Sequence, residues 1–387
     1  MPTSSHYDVI IVGAGLVGAS FALALRHSRL RVAVVENAPA PVPQADWDSR
    51  IYAVSPASVE FLRAIGAWDG IDAQRIQRVE RMEIHGDRPD AALHFSAYES
   101  GAEALAYILE SSRLQYALSE ALKPAGIDFL CPARCAVFDR EGQTLSLEDG
   151  RTFSAELLVG ADGANSWLRQ AAGIELTQQP YHQRGVVANF ECSEAHHGVA
   201  FQWFRADGVL ALLPLAGRKV SMVWSAADAH ADTLMSMDLN ALGSEVTQAS
   251  GNRVGELTAL CRAQAFPLRL MRTGQCVLSG LALIGDAAHV VHPLAGQGVN
   301  LGFGDARVLA EVLMGREPGR SCGDYSLLRR YERARAEPVM AMRGVTHGLQ
   351  RLFAARGDLP RFLRNTGLNL SDRSAVLKTW LVRNALG

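Results

Sequence analysis

The chain has 387 residues, of which 48% are hydrophobic and 20% are charged. This length suggests two packed units or one large α/β unit with an insertion, and the composition excludes a disordered or collagen-like chain. Lys and Arg number 38 against 40 Asp and Glu, so the net charge of -2 gives no sign of a nucleic-acid-binding surface.

The six cysteines are scattered, and only Cys131 and Cys135 are close in sequence. No second pair or histidine cluster completes a zinc pattern, so we expect reduced, mostly buried thiols and no metal. Residues 1–6 leave no room for a signal peptide before the first apolar strand, and no run reaches about 18 uninterrupted apolar residues. We therefore expect a cytoplasmic protein.

The N-terminal segment has the pattern of a βαβ unit. Residues 7–12 and 32–36 are short apolar runs rich in β-branched side chains, and a glycine-rich turn between them leads into a predicted helix over 16–25. This order predicts a parallel strand pair. The proline-rich stretch 38–43 is typical of a loop.

The middle of the chain has mixed patterns. Residues 103–122 predict a helix, the strands 136–138 and 144–147 flank a turn, and Asp149-Gly150 marks a hairpin. From about 181 to 270, short alternating strands favour a β-rich insertion; they include 186–190, 200–204 and 220–224.

The last part of the chain returns to strand and helix. Residues 281–286 predict a buried strand, and helical patterns run from Val299 to the end. We find no internal repeat and no low-complexity tract.

The first chemical motif is the glycine-rich turn at 13–18. Gly13 permits a tight turn, Gly15 lets the backbone approach a pyrophosphate, and Gly18 lets helix and strand pack closely. Glu36, at the end of the second strand, is placed to accept hydrogen bonds from a ribose 2'-hydroxyl. Together these features predict dinucleotide binding.

Two later segments combine Asp and Gly at the end of an apolar run. Asp162-Gly163 follows 157–161, and Gly285-Asp286 opens the segment 284–302. Either step alone would indicate only a turn. With the N-terminal motif they form a three-part signature.

This signature resembles the class A flavoprotein aromatic hydroxylases, and within them the ubiquinone-biosynthesis hydroxylase family. The resemblance spans nearly the whole chain, because residues 48–55 and 352–368 also match family segments. It implies that Asp286 binds the ribityl chain, and that FAD and NAD(P)H both approach Asp162. The residues at which it implies FAD contact are Arg50, Arg113, Asp162, Asp286, Pro293, Gly296, Gln297, Gly298, Asn300 and Leu301.

A physical reason supports the contact of residues 296–301 with the flavin. Reduced flavin carries negative charge near N1 and O2, and a helix starting near Val299 would present free N–H groups and the positive end of its dipole. His289 and His292 are weak candidates for proton transfer, with the neighbouring Pro293, but their apolar setting favours fixed hydrogen bonds. The pair His196-His197 is interpreted as a solvated turn.

The chain has a single Gly-x-Gly-x-x-Gly motif, so any NAD(P)H site is expected to be transient. The resemblance implies that NAD(P)H, O₂ and a phenol give a hydroxylated product through a flavin C4a-hydroperoxide. The implied substrate is a polyprenylated phenol of ubiquinone biosynthesis. The alternatives are a hydroxylase of a soluble aromatic acid, a flavin-dependent reductase of prenyl chains, or a non-catalytic FAD-holding accessory protein of a biosynthetic complex.

The expected fold is an α/β Rossmann-like, glutathione-reductase-like FAD-binding domain with an inserted β-sheet substrate domain and a helical C-terminal tail. The expected bounds are 1–75, 101–180 and 275–335 for the FAD-binding domain, 76–100 and 181–274 for the substrate domain, and 336–387 for the tail. Candidate pocket walls are Phe201, Trp203, Leu213, Pro214 and Trp224.

The C-terminal segment is basic and amphipathic. From Met340 to the end it contains eight basic and two acidic residues, interleaved with Leu and Phe. Such a segment is able to lie on an anionic membrane surface. A helical cap that packs on the FAD domain explains the pattern equally well, and both readings stay open.

Overall fold

A computed structural model describes residues 5–40, 42–86, 91–205, 207–290 and 298–354. The strands in these ranges are β1 (Ser5–Val12), β2 (Val32–Val35), β3 (Ile51–Val54), β4 (Gln77–Val79), β5 (Arg81–His85), β6 (Ala92–Ser96), β7 (Ala106–Glu110), β8 (Asp128–Leu130), β9 (Cys135–Asp139), β10 (Thr144–Leu147), β11 (Thr152–Gly160), β12 (Leu176–Cys192), β13 (Val199–Arg205), β14 (Gly208–Leu215), β15 (Lys219–Ala227), β16 (Leu257–Ala259), β17 (Gln264–Thr273), β18 (Val277–Leu278), β19 (Leu281–Leu283) and β20 (His289–Val290). The α-helices are α1 (Leu16–Ala24), α2 (Pro56–Ala64), α3 (Ser111–Leu122), α4 (Trp167–Ala171), α5 (Asp228–Ser236), α6 (Leu239–Ala249), α7 (Gly298–Met314) and α8 (Tyr325–Ala354).

The N-terminal sheet is parallel at its centre. β1 pairs in parallel with β2 and β11, and β11 pairs in parallel with β19. Both faces of β1 are buried, because Val9 and Ile11 join the core under α1 and α7 while Ile10 and Val12 join the core on the other side. The predicted βαβ unit and α/β fold are confirmed.

The second sheet is mainly antiparallel and has two buried faces. Its strands follow the order β20-β17-β12-β15-β14-β13-β5-β6. One face is covered by α5 and α6, whose Leu234 and Leu242 pack with Phe190 of β12. The opposite face, called the inner face here, packs through Leu215 of β14 on Ile108 of the small sheet β3-β7-β4.

Two local predictions are wrong. The helix expected over 103–122 begins only at Ser111, because Ala106–Glu110 is the central strand β7 of the small sheet, with β3 on one side and β4 on the other. Pairing on both sides and burial of Tyr107, Ile108 and Leu109 outweigh the helical pattern. The expected strand 281–286 ends at Leu283, and a 3-10 turn follows.

The predicted domain bounds stay a prediction. The pairing of β5 with β13 supports them, because it joins the two sequence-distant segments that were assigned to the substrate domain. The predicted C-terminal helical region falls in α8 as far as Ala354, and 355–387 lie outside the described residues. Within the described ranges, no helix combines the length and the apolar character needed to cross a membrane.

The six cysteines are free thiols, as the sequence predicted. Cys192 and Cys322 are buried and the other four are partly buried, so none of the six thiols is exposed. Burial raises the pKa of Cys135, Cys192 and Cys276 to about 12, which keeps these thiols neutral.

Side chains on the face covered by α5 and α6 should contribute most of the stability of the second sheet. Phe190 is fully buried there, so Phe190→Ala should lower the free energy of unfolding by about 3–5 kcal/mol. Phe266 of β17 is 42% exposed, and Phe266→Ala should cost about 1 kcal/mol or less. Urea denaturation of both variants measures the difference. Equal losses would contradict the assignment of the core to this face.

Candidate functional site

The glycine-rich turn joins β1 to α1 at the carboxyl edge of the parallel sheet. Gly13 has a φ of +101°, and its N–H donates to the Val35 carbonyl over 2.8 Å. A Cβ atom on Gly18 would lie 2.0 Å from the Gly13 carbonyl oxygen, so the close helix packing requires glycine there. A Cβ atom on Gly15 would meet nothing within 4 Å, which leaves open space beside the helix terminus.

The N-terminus of α1 faces that space without a competing side chain. Gly15 is the N-cap residue, no side chain caps the helix, and the first turn contains no acidic residue. Its N–H groups and the helix dipole attract an anion such as a pyrophosphate. Glu36 follows β2, and its carboxylate accepts the Ala14 N–H at 2.6 Å and the Ala38 N–H at 3.1 Å. The turn therefore fits a dinucleotide, with Glu36 beside it.

The Asp162-Gly163 turn follows β11 and lies against the glycine-rich turn. A Cβ atom on Gly13 would lie 2.6 Å from the Ala161 carbonyl oxygen. Asp162 Oδ2 accepts the Leu168 N–H at 3.1 Å, whereas Oδ1 is buried without a hydrogen-bond partner. A buried carboxylate oxygen in this state indicates a missing donor, such as a ligand hydroxyl.

The third motif reaches the same edge from β19. The Ile284 N–H donates to the Gly160 carbonyl at 2.9 Å, which continues the strand pairing up to the 3-10 turn Gly285–Ala287. A Cβ atom on Gly285 would lie 3.1 Å from Val17 of α1. All three sequence motifs therefore meet around the start of α1.

Asp286 and His289 are held differently. The Asp286 side chain is exposed, yet surrounding protein atoms displace enough bulk water to raise its pKa, against the opposing charges of His289 and Arg50. His289 Nε2 lies 2.7 Å from Oδ2 of the buried Asp305. Burial alone lowers the pKa of His289, but the Asp305 carboxylate outweighs burial and raises it above the ordinary 6.5. His289 thus makes a fixed hydrogen bond, and a catalytic role for it stays a prediction.

Arg50 and Arg113 were both predicted to contact FAD. Arg50 is exposed and close enough to Asp286 to affect its pKa. Arg113 Nε donates to Glu110 Oε2 at 2.8 Å, and its Nη2 donates to a carbonyl of the preceding loop. Arg75 binds the same buried carboxylate, so Glu110 neutralises only one of two guanidinium groups. Contact of Arg50 and Arg113 with FAD stays a prediction.

The predicted flavin segment is described from Gly298 onward. The predicted residues that lie outside the described residues are His292, Pro293, Gly296 and Gln297. α7 begins at Gly298, and Asn300 in its first turn donates to the Ala53 carbonyl at 2.9 Å and accepts the Ser55 N–H at 3.0 Å. Leu301 is buried. The contact of Gly298, Asn300 and Leu301 with the flavin stays a prediction.

The predicted pocket residues divide between the two faces of the antiparallel sheet. Phe201, Trp203 and Trp224 pack in the cluster that includes α5 and α6, and Pro214 shares that face by strand alternation. Leu213 packs on the inner face, toward the small sheet. Four of the five residues therefore lie on the helix-covered face, which alternation in sequence could not reveal, and their role as pocket walls stays a prediction.

The interpretation of His196-His197 as a solvated turn is wrong for His196. His196 is buried, its Nε2 lies 2.8 Å from the Leu215 carbonyl oxygen, and its Nδ1 accepts the Gly198 N–H at 3.1 Å. His197 is exposed. His196 thus fixes the loop before β13.

Among the described residues, the buried charged side chains at the cofactor edge that the sequence did not predict are Glu110, Arg169, Asp305 and Arg335. Arg169 donates to the Ala287 carbonyl and to the Ala164 carbonyl, both at 2.9 Å, and so connects the second motif to the third. Asp305 Oδ2 accepts the Gly285 N–H at 2.9 Å. The available signal for Asp305 was its position on the apolar face of 298–314, four residues from both Leu301 and Leu309, whereas the other acid of this segment, Glu311, lies on the exposed face.

Comparison with known proteins agrees with this geometry, which defines a dinucleotide-binding α/β site. The family model of the FAD binding domain matches residues 6–344. The 3-demethoxyubiquinol 3-hydroxylase of Escherichia coli is 37% identical over 394 residues, covering 100% of both chains. The mitochondrial ubiquinone biosynthesis monooxygenase COQ6 of Drosophila melanogaster is 34% identical, covering 100% of this chain and 91% of the relative.

Among solved structures, Pseudomonas aeruginosa PqsL in complex with 2-aminobenzoylacetate is similar, with a TM-score of 0.76 and 24% identity over 94% of this chain and 100% of PqsL. This likeness shows the fold. The chain belongs to the ubiquinone-biosynthesis hydroxylase family of class A FAD-dependent aromatic hydroxylases. Its cofactor is FAD, and the predicted family and cofactor are confirmed.

Gly15 and Gly18 should separate cofactor binding from folding. Gly15→Val should fold, because no protein atom lies within 4 Å of the added Cβ, but its side chain fills the space expected for the pyrophosphate. Its FAD affinity should fall at least about tenfold. Gly18→Val should fail to fold, because the new Cβ would lie 2.0 Å from the Gly13 oxygen. FAD absorbance and circular dichroism measure the two effects, and a Gly15→Val protein that retains its flavin would refute the placement.

Proposed function

We propose that the chain is an FAD-dependent monooxygenase that hydroxylates the ring of a polyprenylated phenol in ubiquinone biosynthesis, using NAD(P)H and O₂. The observation that supports this most directly is the 37% identity over full length to a 3-demethoxyubiquinol 3-hydroxylase. The meeting of the three motifs around α1 agrees with it. NAD(P)H as a transient donor is part of the proposal, because the chain has one glycine-rich dinucleotide motif.

Different residues of the three motifs would bind different parts of FAD. The α1 terminus at Gly15 would hold the pyrophosphate, Glu36 a ribose, and Asp286 the ribityl hydroxyls, with Asp162 Oδ1 as a further acceptor. When bound, FAD supplies the redox chemistry with oxygen. The protein supplies position and exclusion of water, and these effects keep the reduced cofactor from unproductive reactions.

The inner face of the antiparallel sheet is the proposed wall of the substrate pocket. Asn189 of this face donates to the Asp48 carbonyl at 2.9 Å, two residues before Arg50, so the face adjoins the cofactor edge. Its positions alternate along the four central strands. They are Gly185, Val187, Asn189, Ala200, Gln202, Phe204, Val209, Ala211, Leu213, Leu215, Ser221, Val223 and Ser225.

None of these thirteen interior positions carries a charged side chain, and the two charged residues that continue the face at its end, Glu191 and Lys219, lie opposite each other in neighbouring strands. A soluble aromatic acid would need an Arg or Lys near its carboxylate, since an unpaired buried carboxylate costs several kcal/mol. Apolar walls with a few neutral polar groups suit a neutral phenol instead. This composition therefore favours the phenol over the acid.

Product analysis by mass spectrometry tests the proposal. The chain should convert a polyprenyl phenol to a product heavier by one oxygen atom in a reaction that consumes NAD(P)H, and an aromatic acid should give no product. Asp286→Asn should lose FAD and activity, while Asp149→Asn, which changes an exposed hairpin residue, should retain both. FAD binding without NAD(P)H oxidation for any phenol would instead support an accessory protein.

We also propose that the basic C-terminal segment brings the enzyme to the lipid phase that contains its substrate. Co-sedimentation with vesicles should increase with anionic lipid and decrease with salt. Changing Arg351, Arg356, Arg361 and Arg364 to Gln should weaken binding by well over about tenfold, since each basic residue near the surface contributes on the order of 1 kcal/mol.

The control changes four exposed arginines elsewhere, Arg29, Arg81, Arg140 and Arg262, to Gln. This variant has the same net charge as the tail variant and should still bind vesicles. If the two variants bind equally, or if binding ignores salt, delivery of the substrate by a partner protein is the better explanation.

A further inference from the structure

A series of charged side chains of alternating sign runs from α8 to the third cofactor motif. Arg335 of α8 donates from Nε to Asp305 Oδ1 at 2.7 Å, and Asp305 Oδ2 lies 2.7 Å from His289 Nε2. His289 lies close enough to Asp286 for each to affect the pKa of the other. Local sequence patterns do not reveal this series, because Arg335 and Asp305 are 30 residues apart.

One oxygen atom of Asp305 fixes both sides of Asp286. Oδ2 accepts the Gly285 N–H at 2.9 Å and contacts His289 Nε2, so the chain turns around this oxygen between 285 and 289. The Asp286 side chain, between these two anchors, is exposed. The orientation of Asp286 therefore depends on where Asp305 holds its carboxylate.

The guanidinium of Arg335 is fitted to α7. A Cβ atom on Gly304 would lie 2.8 Å from Nη2 and 3.0 Å from Cζ of Arg335, so α7 has a glycine where the guanidinium lies. Nη2 also donates to the Leu301 carbonyl at 3.0 Å. Arg335 therefore bonds Asp305 and the α7 backbone through separate nitrogens, a fork geometry that a lysine cannot reproduce.

We propose that Arg335 and Asp305 are positioning residues for FAD: Arg335 orients Asp305, and Asp305 sets the conformation of 285–289 that presents Asp286 to the cofactor. The inference rests on the FAD binding described above. Loss of Arg335 would leave the fully buried Asp305 with one fewer partner, and the ionised carboxylate would reorient toward the donors that remain. This reorientation shifts its contacts with Gly285 and His289.

The net charge of the side chains from Arg335 to Asp286 would also affect how easily the bound flavin is reduced. Loss of the Arg335 charge makes the buried cluster more negative by one unit, which disfavours the negative charge of reduced flavin. The midpoint potential of bound FAD should then fall. A role confined to folding would lower thermal stability and leave this potential unchanged.

The test compares substitutions in α7 and α8 of the full-length holoenzyme. Arg335→Met and Asp305→Asn should raise the Kd for FAD about tenfold or more, and Arg335→Met should also lower the midpoint potential. Arg335→Lys should keep the potential near that of the native protein while FAD still binds more weakly. Arg333→Met removes an exposed arginine of the same helix and should leave both quantities unchanged.

Gly304→Ala covers the case in which Arg335→Met does not fold. It crowds the guanidinium without removing a charge, so it should weaken FAD binding and leave the potential nearly constant. Native affinity in Arg335→Met, or in Gly304→Ala if the former is unfolded, would overturn the proposal, as would an equal loss in Arg333→Met. A native chain that does not bind FAD would instead refute the proposed function.

Discussion

Backbone atoms of two cofactor turns touch at the carboxyl edge of the parallel sheet, and the rest of the site depends on this contact. A Cβ atom on Gly13 would lie 2.6 Å from the Ala161 carbonyl oxygen, and a Cβ atom on Gly18 would lie 2.0 Å from the Gly13 carbonyl oxygen. Because side chains are excluded there, α1 starts directly at the edge of the sheet. Its N-terminus can then serve as the anion site, and the third motif packs against it from the far side of β11.

Buried charges fix these turns where backbone pairing ends. Arg169 connects the turns after β11 and β19 through two carbonyl groups, and Asp305 holds the latter turn from α7. Loops without regular pairing have many accessible conformations, and satisfied buried polar contacts select one of them. The cost of burying these charges is offset only while every partner is present, so each loop conformation depends on residues far away in sequence.

The elements that could be predicted are those specified by local patterns. The strand, glycine turn and helix at 7–25 are adjacent in sequence, and the later Asp-Gly and Gly-Asp steps follow apolar runs, so short-range rules were sufficient. The local pattern of β7 predicts a helix, because its strand character comes from pairing with β3 and β4. The face of Phe201 and Trp224 could not be known without the position of α5 and α6. The Asp305 and Arg335 pair involves two helices, and nothing in either segment alone specifies the other.

Helix α8 contains Arg335 and continues into the basic C-terminal segment. The parts of α8 before and after Pro338 can move independently. Pro338 lies inside the helix, three residues after Arg335. It lacks the N–H that would bond the preceding turn, so α8 bends most easily there. Residues before Pro338 are anchored to α7 and β19 by Arg335 and by the Tyr331 hydroxyl, which donates to the Leu283 carbonyl at 2.9 Å. Tilting of the segment after Pro338 on a membrane surface would thus leave the cofactor turn in place, because the anchoring contacts lie on the other side of the bend.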